Sequence, residues 1–378
     1  MIVAGEPSGD AHAAALVQAL LQQAPGAQFF GATGASMRAA GVHSIVQSDD
    51  LAILGLVEIG RALPRFWEAF RQLRQSAIAR RPAAIILVDW PDFNLRLARS
   101  LHRRGFKVIY YISPQLWAWR SHRVRNIRRD VDLMLSIMPF EQPWYRERGV
   151  PHVEYVGHPL AGEVKPRFGK EEFCRLYKLD PSKPIISLLP GSRLKELQRI
   201  LPPMLDAMGL VSIKRPEVQF VLALAPGRSP AEANKILASQ NRQHNLRIVQ
   251  EATREALSAS DAAAIASGTA TLEAALLGTP MVIAYKESAL NWHVLGSLIT
   301  ADHFGLVNLI AGKRIATELM QGELTEERLA GELLALLEPE KNEEARKQLH
   351  TIAGKLGAAG ASERAAQRIL AEVVPTTT

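Results

Sequence analysis

Short apolar runs alternate with stretches of helical periodicity along most of this chain, and that rhythm constrains the fold more than any other feature. Runs at 2–4, 28–31, 44–46, 83–88, 107–112 and 133–137 read as strands. The run at 83–88 is apolar throughout and rich in branched residues, as a strand covered on both faces must be. A second series follows at 185–189, 219–224, 246–249, 262–265 and 281–285, with helical patterns between them. A parallel neighbour can be reached only by a crossover, so strands joined by helices pair in parallel and the helices cover both faces of the sheet. The expected class is α/β, built as two Rossmann-like domains.

Length and punctuation divide the chain. At 378 residues it exceeds the ~250–300 that one hydrophobic core serves. The stretch from Gly157-His158-Pro159 to Phe168 follows a strand and is rich in Gly, Pro and charge, as linkers are. The expected domains are 1–160 and 161–340. The tail 341–378 reads as one or two amphipathic helices, and its packing back on the first domain stays open.

Composition narrows the class further. A hydrophobic fraction of 47% with 22% charged residues excludes a disordered chain. The lone Cys174 can form neither an internal disulfide nor a cysteine metal cluster, which fits a reducing compartment. No signal peptide is expected at Met1, and no run approaches the ~20 apolar residues of a membrane span, although the protein could still lie on a membrane. Residues 1–160 hold 19 Lys and Arg against 13 Asp and Glu, a balance of +6, whereas 161–378 hold 26 against 25. A basic first half suits an anionic partner or simply a solvated surface.

Five loop motifs could carry chemistry. Gly5-Glu6-Pro7-Ser8-Gly9-Asp10 follows the first strand; its glycines permit a tight turn, and Asp10 suits the N-cap of the next helix. An ordinary βα turn would look the same. Asp89 closes the strand at 83–88, at the sheet edge that faces the ligand crevice in open α/β folds. A carboxylate there is a candidate general base, with loop capping as the alternative, while Asp92 or Asn94 suits the cap of the next helix. Pro190-Gly191-Ser192-Arg193 offers a close backbone approach, free amides and a bidentate cation, which together suit a phosphate. Ser267-Gly268-Thr269 with Glu273 again joins a strand end to a helix start, which suits a pyrophosphate and a ribose diol; a capping box is the alternative. Asn308 lies in the apolar run 306–310, where a buried amide needs specific partners. No Gly-x-x-x-x-Gly-Lys-Ser/Thr loop, His-Glu-x-x-His pattern or Asp-x-Asp pair stands at a strand end, so neither a catalytic metal nor a cofactor is expected.

Two segments mix apolar residues with arginine. Residues 51–59, with Leu54, Leu56 and Val57, lead into Phe66 and Trp67 among arginines. Trp117 and Trp119 lead into Arg120 and Arg123. Both suit a lipid interface or a phosphate, and equally a helix with one core face and one solvated face.

These motifs occur in an order that resembles one family. Gly5-Glu-Pro-Ser-Gly-Asp10, Asp89-Trp-Pro-Asp-Phe-Asn94, Tyr111-Ile-Ser-Pro-Gln-Leu-Trp-Ala-Trp-Arg120, Val156-Gly-His-Pro159, Leu188-Leu-Pro-Gly-Ser-Arg193 and Ala266-Ser-Gly-Thr-Ala270 are together similar to lipid-A-disaccharide synthases, from the start to near the C-terminus. The resemblance implies a GT-B type glycosyltransferase whose two Rossmann-like domains face a cleft. It implies an inverting, metal-independent transfer from UDP-2,3-diacylglucosamine to 2,3-diacylglucosamine 1-phosphate, giving UDP and a β-1,6-linked tetraacyl disaccharide 1-phosphate. Asp89 would be the base. Glu6 and Asp10 belong to a loop facing the cleft and are the alternative carboxylates. Gly191, Ser192, Arg193, Ser267, Gly268, Thr269, Glu273 and Asn308 would form the donor site. Leu54, Leu56, Val57, Phe66, Trp67, Trp117, Trp119, Arg120 and Arg123 would serve the acceptor and a membrane surface. The implied place is the cytoplasmic face of the inner membrane, held peripherally, with no nucleic-acid partner and an open oligomeric state.

Two departures from the family pattern are minor. Leu54 stands where many relatives carry Met, and only four residues precede Gly5, which leaves a short first strand and an assigned start that could fall downstream of the true one. Competing readings are another UDP-sugar enzyme of GT-B architecture, such as a peptidoglycan-type transferase or an epimerase, and a non-catalytic protein that binds anionic lipid.

Overall fold

A computed structural model describes residues 1–48, 59–239, 246–287 and 303–373. The chain forms two compact units, Met1–Pro159 with Ala358–Thr378, and Leu160–Gly357. The first carries strands β1 (Ile2–Ala4), β2 (Phe30–Thr33), β3 (His43–Gln47), β4 (Ile85–Val88), β5 (Val108–Tyr111), β6 (Leu133–Ser136) and β7 (Val153–Tyr155). They lie side by side in the order β3-β2-β1-β4-β5-β6-β7, and every pair is parallel. The second carries β8 (Ile185–Leu189), β9 (Gln219–Leu224), β10 (Leu246–Gln250), β11 (Ala262–Ala266), β12 (Met281–Tyr285) and β13 (Thr317–Met320). Their order is β10-β9-β8-β11-β12-β13, again parallel throughout.

Both orders place the chemistry. Strand succession reverses between β1 and β4 in the first unit and between β8 and β11 in the second. At such a point the loops leaving two neighbouring strands diverge to opposite faces and open a crevice at the carboxyl edge. The loops thus brought together are Gly5-Glu6 with Asp89-Trp90, and Pro190–Arg193 with Ser267-Gly268.

The central strands are buried because helices cover them on both sides. Strands β1, β4, β8 and β11 are buried along their whole length, and all their side chains but Ser187 are apolar. Strand β1 is only three residues long, yet it pairs on both sides, and the Met1 amine donates to the carbonyl of Ala84 at 2.9 Å. Burial pushes that amine down to about 5. The helix Pro91–His102 sinks Phe93, Leu97 and Leu101 into the first core, and Leu194–Lys214 sinks Leu197, Leu201 and Leu205 into the second.

The tail helices go to different units. Pro339–Lys355 packs on Thr269–Leu277 in the second unit, and Ala361–Val373 packs along Pro7–Gln23 in the first. Arg364 fastens the latter, donating to the carbonyls of Val156, Ala358 and Ala359. Its guanidinium stands 2.4 Å from where a Cβ on Gly157 would lie, so at φ +91 only glycine suits that turn. Lys107–Glu372 (2.7 Å) and Arg368–Glu154 (2.8 Å) complete the seam.

Candidate active site

In the first unit the site is built on an unusual turn. Asp89 and Trp90 both adopt left-handed backbone, with φ of +48 and +50. The carbonyl of Asp89 accepts two bonds, from Tyr110 Oη at 2.6 Å and from Asn94 Nδ2 at 2.8 Å; the same amide also reaches the Val88 carbonyl at 3.2 Å. Asn94 therefore holds the turn rather than capping the helix, whose N-cap is Trp90 with Pro91 next. The Trp90 indole stacks on Phe93 at 4.1 Å and meets Phe66 edge-on at 5.4 Å. It lies so close over Gly5 that a Cβ there would fall 2.0 Å from the ring. A Cβ on Gly9 would lie 3.9 Å from the Asp89 Cβ, so the Pro7–Gln23 helix runs close beside the turn. The turn leaves the Asp89 carboxyl half-buried at the sheet edge. Burial pushes it up to about 6, the nearby Glu6 charge adds to this, and the Trp90 amide opposes it.

The neighbouring carboxylates have other places. Glu6 is exposed at the N-cap of Pro7–Gln23. Asp10 lies inside that helix, so the reading of it as the helix's N-cap is corrected. It is 4% exposed and accepts the amides of Gly34 (2.8 Å), Ser36 (2.8 Å) and Met37 (3.2 Å). A carboxylate held by three backbone donors fixes the start of the next helix, Ala35–Ala39.

The aromatic–arginine segment divides in the same way. Trp117 is 9% exposed, and its Nε1 donates to Glu141 at 3.1 Å, so it is a core residue and not the surface residue expected. Trp119 is half-buried, with the Arg120 guanidinium 4.1 Å over its ring. Arg120 (3.2 Å) and Arg123 (2.7 Å) converge on Asp92, three residues past Asp89. Phe66 is half-buried in the core, whereas Trp67 is 60% exposed. Leu54, Leu56 and Val57 lie outside the described residues.

In the second unit a cavity of about 750 Å³ opens at the β8/β11 switch point. Gly191, Ser192 and Arg193 line it from one side and Ser267, Gly268, Thr269 and Glu273 from the other. Thr269 begins the helix Thr269–Leu277, whose first amides have no intrahelical partner and point their partial positive charge outward. The opposite loop differs from expectation. The amides of Ser192 and Arg193 donate to Glu196 Oε2 at 2.9 and 3.1 Å, so they are not free for a ligand. That oxygen stands 2.4 Å from where a Cβ on Gly191 would be, and Gly191 sits at φ +109. Glu273 accepts from Arg254 Nε at 3.0 Å, and Arg254 also donates to the Glu163 carbonyl at 3.0 Å.

Two corrections concern which residues belong to this wall. Asn308 is fully buried away from it: Nδ2 donates to Ala316 O (2.8 Å) and Glu318 Oε1 (2.7 Å), and Oδ1 accepts from the amides of Ile315 and Ala316. It braces the end of the helix Leu306–Ala311. The wall also includes Lys165, Arg167 and Arg254, which carried no motif in the sequence. Arg167 is committed to the buried Glu255 through its amide and Nε, both at 2.8 Å. Among the described residues no three His, Cys, Asp or Glu side chains gather as a metal site.

The family model described as lipid-A-disaccharide synthetase matches residues 1–372. A lipid-A-disaccharide synthase of Syntrophus aciditrophicus is 43% identical over 367 residues, covering 97% of this chain and 95% of the relative. One of Geobacter sulfurreducens is 42% identical over 371 residues, covering 98% and 96%. Among solved structures, the kitacinnamycin glycosyltransferase superposes with a TM-score of 0.66 at 16% identity, covering 99% of this chain and 98% of that one. A putative UDP-N-acetylglucosamine 2-epimerase of Listeria monocytogenes gives 0.61 at 15%, covering 98% and 94%. At such identities these structures speak for the shared fold of two Rossmann-like domains.

A raised carboxyl is a stability liability, and that can be measured. A folded pKa near 6 against the ordinary 3.8 means that the stability Asp89 contributes is present below 3.8 and is lost as pH rises through 6. The variant Asp89→Asn should therefore unfold in more urea than the natural protein at pH 8, by on the order of 1–2 kcal/mol, and show no such gain at pH 4.

Proposed function

This chain belongs to the lipid-A-disaccharide synthase family, and we propose that it joins UDP-2,3-diacylglucosamine to 2,3-diacylglucosamine 1-phosphate. The products are UDP and the β-1,6-linked tetraacyl disaccharide 1-phosphate. The observation that carries the reading is Asp89, a half-buried carboxyl with its pKa near 6, fixed at a sheet switch point by a braced turn. A base must be ionised at the working pH yet basic enough to draw a proton, and a pKa just below neutrality serves both needs. Asp89 takes the proton of the acceptor 6-hydroxyl as that oxygen attacks the anomeric carbon from the face opposite UDP. The bond from sugar to diphosphate breaks, and the configuration inverts.

Charge leaving with UDP needs stabilisation. The open first-turn amides at Thr269 and Ala270 and the exposed Arg193 are placed on the second unit's cavity to supply it. A cavity of about 750 Å³ suits a nucleotide-sized ligand. The family match across 1–372 disfavours an epimerase or a peptidoglycan-type enzyme.

The purified protein, given both lipid substrates in detergent with EDTA and followed by mass spectrometry, should form the tetraacyl disaccharide 1-phosphate with matching UDP release. Asp89→Asn should lower kcat by about 10²–10⁴-fold while leaving UDP binding intact. A folded protein that yields no disaccharide over a range of acyl lengths sinks the reading, and a fully active Asp89→Asn sinks the role of Asp89.

Acylated substrates also call for contact with a membrane. Among the described residues no helix is long and apolar enough to cross one. The helix Ile59–Arg80 instead sets Trp67, 60% exposed, between the exposed Arg65 and Arg71, a pattern suited to peripheral association at the cytoplasmic face of the inner membrane. Co-sedimentation with phosphatidylglycerol vesicles should weaken roughly tenfold in Trp67→Ala and fall with added salt. Equal sedimentation of the two proteins would remove Trp67 from that role.

A further inference from the structure

Glu141 has no part in the chemistry above, yet it is among the few carboxylates buried in the first unit, at 2% exposure. It begins the helix Glu141–Glu147, after β6. One of its oxygens accepts from Trp117 Nε1 at 3.1 Å, the other from the Met138 amide at 3.1 Å. Four residues on, Tyr145 Oη donates to the carbonyl of Pro114 at 3.0 Å. Phe140 meets the Trp117 ring edge-on at 5.0 Å. The loop leaving β5 is thus pinned at Pro114 and again at Trp117, both times to the same helix. Burying a carboxyl is costly, and an apolar contact would have served as a mere fastening. A hydrogen-bonded carboxylate adds direction: it fixes the rotation of the indole and with it the path of the chain beyond.

That path leads to the surface. Two and three residues past Trp117 stand Trp119 and Arg120, with the Arg120 guanidinium stacked on the Trp119 ring and reaching Asp92. Arg123 reaches the same carboxylate. Two guanidinium groups on one carboxylate leave a net positive charge, at a place tied by the helix Pro91–His102 to Asp89. An anion carried by the molecule that Asp89 deprotonates would be drawn there.

We infer that Glu141 is a positioning residue for the acceptor's phosphate: through Trp117 it sets where Arg120 and Arg123 stand beside the Asp89 turn. The inference rests on the acceptor assigned above. It makes Glu141 matter to one substrate only, and to that substrate's phosphate in particular.

The test measures KM for each substrate and kcat in Glu141→Ala, Glu141→Gln and Trp117→Phe, alongside thermal unfolding. A second acceptor, 2,3-diacylglucosamine without the 1-phosphate, is run in parallel. The KM for the phosphorylated acceptor should rise about tenfold in Glu141→Ala and Trp117→Phe, and less in Glu141→Gln, while the KM for the donor stays within about twofold. The preference of the natural enzyme for the phosphorylated acceptor should shrink by the same factor. The double variant Glu141→Ala/Trp117→Phe should be no worse than the poorer single one, because both break one link. A preserved preference, or equal losses on both substrates, overturns the inference. If Glu141→Ala does not fold, Trp117→Phe decides. A natural enzyme that makes no disaccharide overturns the functional reading and this inference with it, whereas an active one with unaltered preference in the variants overturns the inference alone.

Discussion

Two consecutive left-handed residues at the end of β4 organise the first unit's site. Asp89 and Trp90 each carry a Cβ into a region that costs about 1–2 kcal/mol per residue. The turn persists because its surroundings over-determine it. Tyr110 and Asn94 both bond the Asp89 carbonyl, Trp90 is stacked on Phe93, and Gly5 leaves room for the indole. Relaxing the turn would break all of these at once. What the strain secures is the place of one carboxyl at the sheet edge, partly stripped of water and close to Glu6, so that its proton affinity rises. Local backbone, aromatic packing and electrostatics are here one device.

The second unit follows a different logic. Its cavity is walled by opposed charges already paired: Arg167 with Glu255, Arg254 with Glu273, and Arg193 with Glu196. Such pairing holds long side chains in place before a ligand arrives. It also means that the donor binding proposed here relies less on net charge than on the helix-start amides at Thr269 and Ala270 and on an arginine that can change partner. Glu196, seated on the Ser192 and Arg193 amides, occupies the position that the sequence offered to a phosphate.

Much of this was legible in the sequence because parallel sheets repeat a strong local signal. The buried strands at the sheet centres announce themselves as continuous apolar runs, and the loops that leave them carry Asp89, Arg193 and Gly268. The edge strands β7 and β13 have three and four residues and mixed burial, too short to impose a period. Residue roles that depend on a distant partner were not legible. Asp10, Asn308 and Trp117 look like site residues by type, and only the amides of Gly34 and Ala316 and the carboxyl of Glu141 decide otherwise. Lys165 and Arg254 fail in the opposite sense, since nothing local marks a lysine or arginine that folding brings to a cavity wall. The resemblance to a family supplied the substrates, which no pattern of burial could have named.

Everything proposed for catalysis turns on the proton affinity of one carboxyl. Carbon-13 NMR of the aspartate carboxyls, with Asp89 assigned by its absence in Asp89→Asn, would give that pKa in the folded protein for comparison with the acid limb of kcat/KM. Coincidence of the two near pH 6 is the predicted result. An Asp89 that titrates near 4, beneath an acid limb that stays where it was, would place the base elsewhere.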